Sequence, residues 1–204
     1  TTDADKGIAL QDNNCSLTLT PASTTGYFLD DSLTASSLAI DANATLTTLD
    51  GGSNRGVYLT GGVSGAGTLI ANASSFSVGY MQISGEYRAT THSSGTIITD
   101  RAGAGYQLSM NAADIVHNDG KFVFKGSSGG TSYINLNGAS DGTNGIYDME
   151  IHASGRTVQI STNHLEIENA LTVTAGTFDC NSKNLTMGTH SGGVWSHSIH
   201  NKLV

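Results

Sequence analysis

Glu166 and Glu168 stand at i and i+2, with His164 two residues before the first of them. In an extended strand that spacing puts the three side chains on one face. Paired carboxylates on one face, with a basic partner, are what general acid–base cleavage of a glycan needs. Asp148, Glu150 and His152 repeat the arrangement. The plainer reading of both groups is a solvated outer face. Most of the seventeen acids fall in turn contexts, among them Asp30-Asp31, Asp41, Asp50, Asp119 and Asp141, where Asp usually bonds its own backbone. No catalytic residue is expected.

Seven histidines raise the question of a metal, and His190, His197 and His200 gather near Trp195. Zinc or iron needs converging imidazoles, but a His-x-x-His spacing points two rings to opposite sides of a strand. No metal and no cofactor is expected. The run Gly61-Gly62-Val63-Ser64-Gly65-Ala66-Gly67 lacks the lysine and the helix of a phosphate loop, and its glycines read as tight corners. Neither a nucleophile elbow in a strand–helix context nor an Asp-x-Asp-x-Asp calcium loop occurs. Asn-x-Ser/Thr sequons at Asn14, Asn43, Asn72 and Asn184 are what so Thr-, Ser- and Asn-rich a chain yields by composition. Cys15 and Cys180 lie at opposite ends of the chain, too far apart for a disulfide along an elongated rod. They read as two buried free thiols.

The elements that must carry these residues are short strands. An apolar–polar–apolar triplet recurs, as in Leu17-Thr18-Leu19, Leu38-Ala39-Ile40, Val57-Tyr58-Leu59, Phe76-Ser77-Val78, Phe122-Val123-Phe124 and Val158-Gln159-Ile160. Alternation at period two is a strand with one face on a core. Turn clusters such as Gly126-Ser127-Ser128-Gly129-Gly130 and Asp141-Gly142-Thr143-Asn144-Gly145 separate the triplets. No window holds a 3.6-residue apolar period long enough for a helix. Strands this brief satisfy their backbones by stacking on the next winding of a solenoid. Anchors at Leu17, Leu38, Val57, Phe76, Ile97, Ile115 and Ile134 suggest coils of about 18–21 residues, hence about ten coils and a rod of roughly 45–50 Å. The fold expected is an all-β, elongated parallel β-helix, one solenoid over residues 1–204 cut from a longer polypeptide. Stacked Thr, Ser and Asn should share hydrogen bonds along its outer ladders.

Composition supports a thin core with a weakly charged exterior. Charged residues make up 13%, about half the roughly 25% of an average globular protein. Hydrophobic residues are 37%, aromatics 6%, with 26 glycines and one proline, Pro21. The net charge of −8 and nine scattered basic residues disfavour nucleic acid and anionic membranes as partners. No apolar run reaches the roughly 18 residues of a membrane-spanning helix.

Residues 171–187, LTVTAGTFDCNSKNLTM, resemble a phrase common in long surface proteins: phage tail fibres and virion appendages, and bacterial adhesin or autotransporter passengers. The resemblance reaches back to about His164. It implies a β-helical, extracellular fibre or spike, often trimeric, and carries over no functional residue. The stretch from Tyr80 to Ala113 is less regular, so residues 80–113 are expected to hold a loop, a cap or a different packing.

Together these features lead to a structural, non-enzymatic virion-surface protein as the expected function, as a tail-fibre, spike or capsid-decoration segment. A bacterial adhesin or autotransporter passenger, and a glycan-degrading β-helix enzyme acting through Glu166 and Glu168, are the alternatives. The expected partners are further copies of the chain, a trimer being favoured, or other virion subunits, and a cell-surface glycan or protein. Tyr27, Tyr58, Tyr80, Tyr87, Tyr106, Tyr133 and Tyr147 are spread along the chain, some as surface platforms for such partners and others as core or intersubunit seam.

Overall fold

A computed structural model of the chain describes residues 6–8, 10–50, 52–83, 87–88, 95–101, 103–117, 119–126, 129–137, 145–161, 163–188 and 202–203. About 65% of the chain is strand. The single helical element among the described residues is one 3-10 turn, Ala112–Asp114, and no helix is long and apolar enough to cross a membrane.

The strands wind into three parallel ladders. The first stacks Ser16–Leu19, Ser37–Ile40, Gly62–Gly65, Tyr80–Ile83, Gly105–Asn111 and Thr131–Asn137, then continues into the last residues of the long strand Ile146–Ile160. The second stacks Lys6–Ile8, Thr25–Leu29, Ala44–Thr47, Thr68–Ile70, Tyr87–Arg88 and Ile115–Val116. The third stacks Leu33–Ala35, Val57–Leu59, Phe76–Val78, Thr96–Asp100 and Lys121–Lys125, then the first part of Ile146–Ile160 and its neighbour Leu165–Asp179. The coil-to-coil hydrogen bonds therefore run along the solenoid axis, perpendicular to the strands.

Each triplet sends its outer two residues into the core. In the third ladder Leu33, Val57, Phe76, Ile97, Phe122, Met149 and Leu171 form one continuous row, each in register with the next. The first ladder answers with Leu38, Val63, Met81, Leu108, Ile134 and Ile160. Phe76, Phe124 and Phe178 are fully buried, and each such side chain contributes about 1.5–3 kcal/mol by leaving water. Thr99 is an exception in this interior. It sits in register with Phe124 and is fully buried, and its hydroxyl has no hydrogen-bond partner among the described residues.

The third-ladder row advances by 24, 19, 21, 25, 27 and 22 residues per step, roughly 23 on average over about six turns. The expected 18–21-residue coil and count of ten are both corrected. All three faces carry the same triplet, so a regular series of anchors slides from one face to another. Leu17 and Leu38 lie on the first ladder, Val57, Phe76 and Ile97 on the third, and Ile115 on the second. About six turns at roughly 4.8 Å each make a rod of roughly 30 Å.

Within residues 80–113 the described strands keep to the ladders, and the irregularities are local. The register shifts between Tyr106 and Leu108, and the 3-10 turn follows at Ala112. That bulge turns Gln107 inward, where it donates to the Lys125 carbonyl and accepts from Ser132 Oγ at 3.3 Å. Buried Arg156 reaches across two windings and donates from Nη1 to the carbonyls of Arg101 (2.7 Å) and Gly103 (3.1 Å). These polar groups tie down the corner between the third and first ladders. At the C-terminal end Leu185–Met187 continues the parallel stack on Leu165–Ile167, and Lys202–Leu203 pairs antiparallel with Phe178–Asp179.

Candidate functional site

The two carboxylate groups have different fates. Ile146 pairs with Ile167 and Asp148 with Ala170, so Tyr147 alone faces both Glu168 and Asn169. This β-bulge breaks the alternation. Glu168 turns inward and is buried, while Glu166 stays half-buried and His164 is exposed. Neither carboxylate oxygen of Glu168 has a hydrogen-bond partner among the described residues. The expected shared face of Glu166 and Glu168 is thus corrected. His164 serves a turn instead, its Nδ1 accepting the Asn184 backbone N–H at 2.8 Å.

Asp148, Glu150 and His152 do line the outside of the third ladder, and the neighbouring windings engage them. Lys121 pairs with Glu150. Thr174 Oγ1 lies 3.2 Å from Glu150 Oε1 and 3.1 Å from His152 Nδ1. Asn169 Nδ2 donates to Asp148 at 2.8 Å. The Lys121 hydrogen bond is the main influence holding the Glu150 carboxyl below its ordinary value, against a smaller opposing effect of burial. A carboxylate held ionised by an ammonium is suited to bracing two windings. A proton donor needs the opposite shift.

The first ladder carries a different surface. On its outer face, successive windings present Ser64, Gln82, Ser109 and Asn135 in register. Beside them runs an asparagine ladder. Asn163 Nδ2 donates to Asn137 Oδ1 at 3.2 Å, Asn137 Nδ2 to Asn111 Oδ1 at 3.1 Å, and Asn111 Nδ2 to the Asp114 carboxylate at 2.7 Å. The two Asn–Asn links join successive windings along the axis, each a neutral bond of about 0.5–1.5 kcal/mol net, and the Asp114 link closes the row within the winding of Asn111. Asn135 Nδ2 adds a bond to Ser109 Oγ at 3.4 Å. These residues other than Asp114, with Met110, the turn Asp41 and Gly65-Ala66, line an open groove of about 800 Å³. Asp41 is the one charged lining residue among the described residues. Tyr106 and Tyr133 stand further along the same strands, ring centroids 5.8 Å apart. Tyr106 is 40% exposed, with its hydroxyl 3.2 Å from Ser161 Oγ.

The sequence reading missed this groove. Its signal is a Ser/Asn-x-Asn triplet repeated at 26-residue intervals: Ser109-Met110-Asn111, Asn135-Leu136-Asn137 and Ser161-Thr162-Asn163. Stacked polar side chains do bond along the outer ladders, as expected. Among the tyrosines, Tyr58 on the third ladder and Tyr106 on the first are exposed. Tyr147 packs on buried His117 at 5.0 Å, and burial first, then the charges of Asp119 and Asp148, push its phenol up.

The cysteines are both free, but only Cys180 is buried; Cys15 is exposed, which corrects the expectation of two buried thiols. Ser16 begins the outermost described strand of the first ladder, so among the described residues Cys15 has no further winding packed over it. Its Sγ donates to Asp12 Oδ2 at 3.2 Å, and that bond raises the thiol, helped by the Asp12 charge. His190, Trp195, His197 and His200 lie outside the described residues. No group of three or more potential metal ligands occurs among the described residues.

Fold and surface define a class: a three-faced parallel β-solenoid that carries a polar groove with little charge among its described residues. Comparison with protein-family models, curated proteins and solved structures finds no match to the chain.

Proposed function

We propose that this chain is a structural, non-enzymatic segment of a surface appendage: a tail-fibre, spike or decoration element of a virion. A bacterial adhesin passenger is the alternative bearer of the same rod. The observation that carries the reading is the engagement of outward polar groups between windings. Lys121, Glu150, Thr174 and His152 brace the third ladder, and Asn111, Asn137 and Asn163 brace the first. A surface committed to tying coil to coil suits a stiff spacer. Its low charge suits lateral association, with three copies side by side as the expected assembly.

Three measurements test the proposal. Antibodies against the chain should label intact particles or cells that produce it; labelling only after permeabilisation would overturn the appendage reading. Sedimentation equilibrium should give a homotrimer, and a monomer at all concentrations would remove that part. Incubation with capsular polysaccharides should release no new reducing ends or unsaturated sugars. Product formation abolished by Glu166→Gln or Glu168→Gln would establish the enzyme in its place.

A further inference from the structure

We infer that the groove on the first ladder is a binding site for a neutral, linear oligosaccharide lying along the solenoid axis. The inference adds to the appendage reading and does not rest on it.

Four features support this assignment. First, among the described residues the polar part of the lining is amide and hydroxyl, with one carboxylate, Asp41, and no basic side chain. Sugar hydroxyls both donate and accept, and amides match them with both kinds of group. An anionic glycan would meet no cation among the described lining residues.

Second, the donors are fixed before a ligand arrives. In the asparagine ladder each amide spends one N–H on its neighbour, and among the described residues nothing takes up its second N–H, which can donate to a ligand. Side chains already held by their neighbours lose little further freedom on binding.

Third, the groove repeats. From Ser64 through Gln82, Ser109 and Asn135 to Asn163 it crosses four strand spacings, roughly 20 Å at about 4.8 Å each. That is roughly four pyranose units placed end to end, so each unit can meet an equivalent row of polar groups.

Fourth, Tyr106 and Tyr133 supply an aromatic platform on the same face. An aromatic ring covers the C–H face of a pyranose, while the phenol keeps a polar contact. A protein partner would want a broad apolar centre, whereas the apolar side chains of the described lining are Ala66 and the nearly fully buried Met110.

The test is affinity electrophoresis of the intact chain through gels containing one neutral polysaccharide each: linear glucan, mannan, galactan or xylan. Heparin is the anionic comparison. At least one neutral gel should retard the protein, and heparin should not. Isothermal titration with the matching hexasaccharide then gives an affinity. Asn135→Ala and Tyr106→Ala should each weaken it roughly 2- to 13-fold, the loss of one net hydrogen bond or contact of about 0.5–1.5 kcal/mol. Tyr58→Ala removes an equally exposed tyrosine from the third ladder and should leave binding unchanged. If Asn135→Ala shifts the melting curve, Asn135→Ser replaces it and should weaken binding less. Absence of retardation in all four neutral gels overturns the site. So does stronger retardation by heparin, or equal loss from Tyr58→Ala and Tyr106→Ala.

Discussion

Gly155 and Gly176 form a matched pair for testing how closely adjacent windings pack. Both occupy the left-handed region, at φ of +72° and +87°. A Cβ built on Gly155 meets nothing within 4 Å, whereas one on Gly176 would sit 2.1 Å from the Ala153 carbonyl oxygen and 2.9 Å from that of Arg156. Alanine at either position carries the left-handed penalty, about 1–2 kcal/mol. At Gly176 it must also displace the backbone of the neighbouring winding, and overpacking of that kind costs about 1–3 kcal/mol more. Gly155→Ala should therefore destabilise by about 1–2 kcal/mol and Gly176→Ala by about 2–5 kcal/mol. Urea unfolding followed by far-ultraviolet circular dichroism reads the difference. With a slope of about 2–3 kcal/mol per molar urea, an extra 2 kcal/mol lowers the midpoint by roughly 0.7–1 M. Equal midpoints for the two variants would refute the stacking of Ala153 directly over Gly176.

Three further outcomes are expected. Thr99→Val should raise stability by about 1 kcal/mol, because it removes a buried hydroxyl without a partner and keeps the shape; a lower urea midpoint would contradict the burial. Glu150→Gln should cost under about 1 kcal/mol at neutral pH, since Lys121 is partly exposed. The folded carboxyl lies below its ordinary value of 4.5, so the deficit should be present above that pH and fade as pH falls through the folded value; a deficit that grows with acid would reverse the assignment. A thiol reagent should modify Cys15 in the native protein and Cys180 only after unfolding. Asp12→Asn should speed the Cys15 reaction at neutral pH, because it removes the bond and charge that raise the thiol. Slower labelling in that variant would discount the Asp12 contact.

The strand triplets were legible because a half-buried strand alternates at period two, and Leu17-Thr18-Leu19 or Phe76-Ser77-Val78 have no helical reading. Coil length was not, because three faces share one pattern. The step from Val63 to Met81 is 18 residues and that from Leu108 to Ile134 is 26, because both the strands and the turns between them lengthen toward the later windings. The orientation of Glu168 was hidden for another reason. A bulge adds one residue to one winding only, and the sequence of that winding alone does not reveal the register of its neighbour. Gln107 was concealed in the same way. Asn111, Asn137 and Asn163 were visible as identical residues at equal intervals, but only a 26-residue frame brings them into line.

Hydrogen bonds that run parallel to the solenoid axis have a mechanical consequence. A pull on the two ends opens them one winding at a time, like a zip, and does not shear a whole sheet at once. Each winding that lets go releases roughly 23 residues, which at roughly 3.5 Å per residue is roughly 80 Å of slack. A rod that is short at rest can thus lengthen stepwise under tension and dissipate a sudden tug before its last winding opens.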